Sequence, residues 1–302
     1  MKFTLRQLKV FTSVAKHSSY TRAAEELFLS QPAVSIQVKQ LEGHIGMPLF
    51  EQIGKKIHLT QAGREVQHYS HATFQQLKEM EDVLEAMQGL SGGRLDIAVA
   101  STINYFAPKL LAAFSHHHPD IDLTLEVTNR EMLKKRLLGN ERDIILMGQP
   151  PAKMDLEATP FMENPLVVIA PPDHPLAKER QIPLQRLAKE TFLIREPGSG
   201  TRLAMERFFQ DRKIRYKTGM AMSQNTAIKQ AVRAGMGLAV VSRHTIELEV
   251  ETGRLQVLDV EEFPIMRTWH IVYPRGKRLS PAAQAFHDFV LSDNLSALSG
   301  LS

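Results

Sequence analysis

The stretch Ser30-Gln31-Pro32-Ala33-Val34-Ser35-Ile36-Gln37-Val38-Lys39-Gln40-Leu41-Glu42 reads as a helix with a marked beginning. Ser30 can cap it, and Pro32 falls in the first turn, where a missing backbone N–H costs nothing. Val34, Val38, Leu41 and Ile45 follow at i, i+4, i+7 and i+11, a narrow apolar stripe. At about 100° per residue, the opposite side carries Pro32, Ile36, Lys39 and Gln40, with Ser35 on its flank. Upstream, Thr4 and Gln7 form a capping-box pair ahead of Leu5, Leu8, Phe11 and Ala15 on one face. Ser18 and Ser19 break that helix, a second runs over residues 21–27, and Phe28-Leu29-Ser30 turns the chain tightly. Two short helices with a tight turn, the second polar and basic outside, are the sequence form of a helix-turn-helix. An ordinary three-helix bundle fits the same pattern.

Downstream, residues 48–60 read as two short strands turning at Gly54-Lys55, a basic hairpin or wing. Lys55 and Lys56 at its tip suit a phosphate backbone, contributing affinity and register rather than base choice. Residues 60–90 form one long helical pattern without proline. Its seam of Val66, Tyr69, Thr73, Leu77, Met80, Leu84 and Met87 alternates spacings of 3 and 4. Such a seam predicts pairing with a second copy, or packing on the next domain of the same chain. Ser91-Gly92-Gly93 ends it as a hinge.

From Arg94 onward strands and helices alternate. Strands are predicted at 95–100, 121–127, 143–147, 166–170, 192–195, 218–222, 238–241 and 268–273. Helices are predicted at 105–114, 130–138, 201–209, 226–234 and 281–291. This alternation predicts an α/β architecture of two doubly wound subdomains, whose ligands sit beyond the carboxyl ends of strands. The predicted organisation is a helical module over 1–60, a linker helix and hinge over 61–92, and an α/β region over 93–302. Within that region, 93–161 with 268–302 make one subdomain and 162–267 the other.

The 302 residues are 43% hydrophobic and 23% charged, ordinary values for a folded multidomain chain. There is no cysteine, which excludes disulfides, thiolate nucleophiles and zinc sites built on Cys. Residues 1–60 hold 8 Lys and Arg against 4 Glu, whereas the remaining 29 bases and 29 acids balance. The whole excess of +4 therefore lies in the module expected to meet a polyanion. The longest apolar run, residues 165–172, is too short to span a bilayer, and the amino-terminal residues show no export pattern, so a cytoplasmic protein is expected.

With these elements in place, the chain resembles the LysR-type transcriptional regulators from end to end. The resemblance rests on Arg22-Ala23-Ala24-Glu25, Leu29-Ser30-Gln31-Pro32-Ala33-Val34-Ser35, Gln40-Leu41-Glu42, Pro48-Leu49-Phe50 and Leu59-Thr60-Gln61-Ala62-Gly63. Its second half looks most like the CbbR group, regulators of carbon-fixation (RuBisCO) operons, through Tyr105-Phe106-Ala107-Pro108, residues 169–176, residues 195–202 and Arg243-His244-Thr245. The resemblance implies a winged helix-turn-helix, a linker helix pairing two subunits, and an effector domain like a type 2 periplasmic binding protein. It further implies a dimer or tetramer on an interrupted palindrome in double-stranded DNA near a promoter, as an activator that can also repress its own gene, with RNA polymerase as a candidate partner and no membrane partner. The DNA face then comprises Arg22, Gln31, Pro32, Ser35, Ile36 and Lys39, with Lys55 and Lys56 on the wing. Ile36 stands where many members have Arg, and Gln52 where Arg is frequent in the wing. An outward Ile can touch a thymine methyl in the major groove; the alternative is that Ile36 packs on a neighbouring helix.

Two strand-to-helix junctions are rich in donors: Ser101-Thr102, and Gly198-Ser199-Gly200-Thr201-Arg202. A helix start favours an anion, and Arg202 could fork onto a phosphate or carboxylate; helix capping by the same hydroxyls is the competing reading. The two junctions are expected to face each other across a cleft, and the resemblance adds Thr128, Asn129, Gln149, Gln224 and Asn225 to its lining. It also implies a small-molecule effector, a phosphorylated metabolite or an NADPH-like nucleotide, and no cofactor. Enzyme readings fit poorly. His116-His117-His118 lacks partners at ligand spacing, Gly235-Met236-Gly237-Leu238 follows a helix instead of opening one, and Gly198-Ser199-Gly200 is not a nucleophile elbow. A ligand-binding module without DNA function is the alternative from another class, and a LysR-type regulator of an unrelated operon is the alternative within the family.

Overall fold

The computed structural model describes residues 2–54, 56–87 and 92–292. The chain divides into two compact units, residues 1–81 with 138–141, and residues 82–137 with 142–302.

The first unit begins with α1 (Leu5–His17), α2 (Tyr20–Leu27) and α3 (Gln31–Ile45). The capping box at the start of α1 is closed both ways, Gln7 N donating to Thr4 Oγ1 at 3.2 Å and Thr4 N to Gln7 Oε1 at 2.9 Å. Val10 and Val14 of α1, Ala23 and Ala24 of α2, and Val34 and Val38 of α3 meet in one buried cluster. The small alanines let α2 approach both neighbours closely. Glu26 ties α2 back to α1 through Lys16, Ser13 and His17, and hydrogen bonds from Lys16 and Ser13 pull its carboxyl down to about 2. Ser30 caps α3, accepting from Ala33 N, and Gly46 ends it at φ +81°, a left-handed turn that suits a residue without a Cβ.

Strands β1 (Phe50–Ile53) and β2 (Lys56–Leu59) pair antiparallel as the wing. The Glu42 carboxylate of α3 accepts from Leu49 N at 2.7 Å and Phe50 N at 3.3 Å, which fixes where the wing leaves the helices. Thr60 then caps the long α4 (Gln61–Met87), its hydroxyl accepting from Gly63 N at 3.0 Å and donating to Pro48 O at 2.8 Å. A Cβ on Gly63 would lie 2.1 Å from Leu49 O and 2.9 Å from Leu59 Cδ2. Gly63→Ala must therefore force the linker helix off the wing. We expect a loss of about 1–3 kcal/mol, the usual cost of overpacking, read as a lowered melting temperature. Of the predicted seam, Tyr69, Met80 and Leu84 are exposed, while Val66 packs into the unit's own core.

In the second unit, strands β3 (Gly93–Ala100), β4 (Ile121–Thr128), β5 (Ile144–Met147), β6 (Leu156–Glu163) and β12 (Thr268–Pro274) form a sheet in the order β4-β3-β5-β12-β6. Strands β7 (Leu166–Ala170), β8 (Thr191–Arg195), β9 (Lys217–Met222), β10 (Leu238–Ser242) and β11 (Gln256–Val257) form the other, ordered β11-β7-β10-β8-β9. The first sheet packs α5 (Ala107–His117) and α11 (Pro281–Leu291) on one face, through Phe114, Phe286 and Phe289, and α6 (Arg130–Leu138) on the other, through Leu133 and Leu137. The second sheet has the short α7 (Leu184–Leu187) and α8 (Gly200–Asp211) on one face, through Leu184, Leu187, Phe208 and Phe209. Its other face carries α9 (Asn225–Arg233), through Ile228 and Val232, while α10 (Glu247–Glu251) follows as a single short turn of helix. Each sheet is covered on both faces, as doubly wound sheets must be.

Both sheets are mixed: β12 runs antiparallel to β5 and β6, and β7 antiparallel to β10. The chain crosses between sheets twice, and the two crossings pair with each other. Asn164 N donates to Arg267 O at 2.8 Å, Arg267 N to Asn164 O at 3.2 Å, and Leu166 N to Ile265 O at 3.0 Å. Several elements differ from the sequence expectation. Residues 103–105 form a separate 3-10 turn, so α5 starts at Ala107 and runs on to His117, placing His116 and His117 in a helical turn instead of a loop. Strand β6 is absent from the periodicity because Pro160 interrupts it, and the strand pairs only with β12, across a bulge. Gly93 belongs to β3, and Ser91 of the expected hinge lies outside the described residues.

Candidate functional site

The outer side of α3 presents Gln31, Pro32, Ile36 and Lys39 to solvent, with Ser35 half-buried beside them. Ile36 is 54% exposed, so it does not pack on a neighbouring helix within this unit. Arg22 on α2 and Lys56 on β2 are exposed as well, and Lys55 lies outside the described residues. Phe28, in the turn between α2 and α3, is almost fully exposed at φ +53°.

The second unit holds a cavity at the carboxyl ends of the parallel strands β3, β5 and β8, where open α/β sheets place their ligands. Ser101 and Thr102 reach it after β3, Asn129 and Arg130 at the start of α6, Gln149 after β5, and Gly200 and Thr201 at the start of α8. The two hydroxyl-rich junctions thus line one cavity. The starts of α6 and α8 approach each other closely: a Cβ on Gly200 would lie 3.8 Å from Arg130 Cδ, and one on Gly198, at φ +85°, 2.6 Å from Glu131 Cγ.

Four arginines line the cavity: Arg195, which pairs with Glu196, and Arg130, Arg207 and Arg267. Burial pushes Arg267 below its ordinary range, and the positive charges of Arg207 and Arg130 push it the same way. Burial also lowers Arg130, against the opposing pull of Glu131. Like charges held together and partly desolvated favour an anion among them. Two buried donors point to the same need. Arg130 Nη1 and Trp269 Nε1 make no hydrogen bond to the protein, and both residues line this cavity; Asn164 Oδ1, an acceptor, is unpaired there as well. Buried polar groups are normally paired, and a ligand seated in the cavity would supply the missing partners.

Four of the expected lining residues lie elsewhere. Arg202 points along its own helix, donating from Nε to Glu206 at 2.7 Å and from Nη1 to Arg195 O at 3.2 Å, so its fork is already engaged. Asn225 is buried with its Oδ1 accepting from Arg195. Gln224 is exposed ahead of α9, and Thr128 ends β4, its carbonyl accepting from Ser101 N at 2.9 Å. Lining positions that sequence reading did not single out include Arg130, Asn164, Arg195, Arg207, Arg267 and Trp269. One signal was present: Gly200, Leu203 and Arg207 are spaced i, i+3, i+7 and share a helical face, and all three line the cavity. Among the described residues no group of His, Cys, Asp and Glu is placed to hold a metal, and no helix is long and apolar enough to cross a membrane.

A family model described as "Bacterial regulatory helix-turn-helix protein, lysR family" matches residues 5–64, and one described as "LysR substrate binding domain" matches residues 88–294. The chain belongs to the LysR family. Like other LysR-type proteins it is a DNA-binding transcriptional regulator. A relative named "RuBisCO operon transcriptional regulator" from Allochromatium vinosum is 64% identical over 97% of both chains. Another of that name, from Acidithiobacillus ferrooxidans, is 47% identical over 96% of this chain and 94% of its own. Among solved LysR structures, the regulatory domain of Synechocystis CcmR, in complex with 2-PG, is 43% identical. It covers 66% of this chain and 96% of that one with a TM-score of 0.64. Full-length CbnR, complexed with its target DNA, shares the fold with a TM-score of 0.69 over 95% of this chain and 99% of that one, at 21% identity.

Proposed function

We propose that this LysR-family protein activates carbon-fixation genes in the cytoplasm, binding an interrupted palindrome near their promoter and responding to a small organic phosphate. The observation that carries the effector reading is the trio of Arg130, Arg207 and Arg267 around orphaned donors in one cavity. Three positive charges match a phosphate joined to a second anionic group, such as a carboxylate. The relatives named for the RuBisCO operon and the 2-PG complex of CcmR support the same direction. The only aromatic residue of the lining, Trp269, is 3% exposed beneath Gly148, which leaves no open ring for a base to stack on and favours a small metabolite over a nucleotide.

In this reading Ser101, Thr102, Asn129, Gln149 and Thr201 donate to the anion's oxygens, with the backbone at the start of α8. Arg22, Gln31, Pro32, Ser35, Ile36, Lys39, Lys55 and Lys56 face the duplex. The exposed stripe of Tyr69, Met80 and Leu84 on α4 is the pairing surface of a dimer or tetramer, and RNA polymerase is the partner at the promoter. A ligand preferring one arrangement of the two sheets shifts the population of DNA-bound states by its differential affinity. The test joins two measurements on the full chain. Calorimetric titration with 2-phosphoglycolate is expected to show saturable binding, and a gel shift on its promoter region is expected to weaken steeply with salt and respond to that compound. No heat with any phosphate carboxylate, or no preference for promoter over random duplex, refutes the corresponding half.

A further inference from the structure

Arg195, the last residue of β8, lines the cavity yet is 3% exposed, and its guanidinium is occupied by the protein. Nε and Nη2 donate to the two oxygens of Glu196 at 2.8 and 3.0 Å, Nη1 donates to Asn225 Oδ1, and Nη2 also approaches Ser223 O at 3.2 Å. One contact remains, and it reaches the other sheet: Nη2 lies 3.2 Å from Ser101 Oγ, after β3.

We propose that Arg195 is a positioning residue that makes Ser101 a hydrogen-bond donor toward an acceptor oxygen of the ligand in the cavity. The argument rests on the anionic-effector reading above. A guanidinium has donors and no acceptor. Ser101 Oγ must therefore be the acceptor of the 3.2 Å contact, and the hydroxyl hydrogen is left for another partner. Ser101 lines the cavity, and among the described residues the protein supplies no acceptor for that hydrogen. A phosphate or carboxylate oxygen accepts it. The contact from Arg195 uses one of the two lone pairs of Ser101 Oγ and leaves the hydroxyl hydrogen for the cavity. The ion pair with Glu196 neutralises Arg195 locally, so its part in binding is carried through Ser101 rather than through its own charge.

The experiment is a double-mutant cycle on the full-length protein, with the dissociation constant of 2-phosphoglycolate measured by calorimetry and melting temperatures recorded alongside. Ser101→Ala is expected to weaken binding about tenfold or more, as loss of a hydrogen bond to a charged group does. Ser101→Thr keeps the hydroxyl and stays within about threefold of the parent on the same scale. In an Arg195→Met background, which removes every donor to Ser101 Oγ, Ser101→Ala is expected to cost little more, because the hydroxyl is no longer oriented. Should Arg195→Met not fold, Asn225→Ala replaces it, removing one anchor of the guanidinium and leaving its charge. Equal cost of Ser101→Ala in both backgrounds, or parent-like binding by Ser101→Ala, overturns the proposal while leaving the anion site standing. A parent protein that binds no phosphate carboxylate overturns both.

Discussion

Arg130→Met is expected to weaken binding of 2-phosphoglycolate by about 30-fold or more and, in the same protein, to raise the melting temperature. The first effect follows from truncating a charged partner in a desolvated contact, which costs roughly 2–5 kcal/mol of binding. The second follows from what the guanidinium endures without ligand. Its Nη1 has no partner in the protein, it sits with Arg207 beside Arg267, and burial opposes its charge. A methionine of similar length keeps the packing against Gly200 and removes both penalties. Sites built for binding commonly trade stability in this way. Arg180→Met is the control, since the Arg180 side chain is 87% exposed, and neither quantity should move. A fall in both affinity and melting temperature for Arg130→Met would assign the residue to the scaffold instead of the effector.

Ile36→Arg is expected to change which base is preferred at one symmetric position of the operator. Ile36 stands 54% exposed on the outer side of α3, and in the proposed DNA-bound arrangement its apolar side chain would meet a thymine methyl. An arginine there reaches the O6 and N7 acceptors of guanine, and a well-formed contact of that kind discriminates by about 1–3 kcal/mol in each half-site. Affinity for random duplex should rise only slightly, with the salt dependence steepened by about one phosphate contact per subunit. Fluorescence anisotropy over a set of single-base operator variants reads both effects. An unchanged base profile, with only the salt slope altered, would place Ile36 over the backbone.

The helical half of the protein was legible because its determinants are local. The caps at Thr4 and Ser30, Pro32 in the first turn of α3 and the Val34–Val38–Leu41 stripe each lie within a few residues of what they control. In the cavity, the hydroxyl-rich junctions could be found because they sit next to strand ends, which topology places together. Arg202 was the natural arginine to choose beside the Gly-Ser-Gly turn, yet Glu206 one helical turn on takes it, and Arg207 lines the cavity. Arg267 is separated by 72 positions from Arg195 and by 137 from Arg130, so no local pattern could have brought them together. Asn225 illustrates the converse: a polar residue beside the right junction, consumed by a buried guanidinium.

The paired crossings between the sheets have a mechanical consequence. Asn164 and Arg267 exchange backbone hydrogen bonds there, and the side chains of both reach the cavity. In the proposed reading, an effector in the cavity would touch the axle as well as the two wheels. Two segments bonded to each other resist bending separately, so a molecule seated against Asn164 and Arg267 would bear on the connection between the sheets itself.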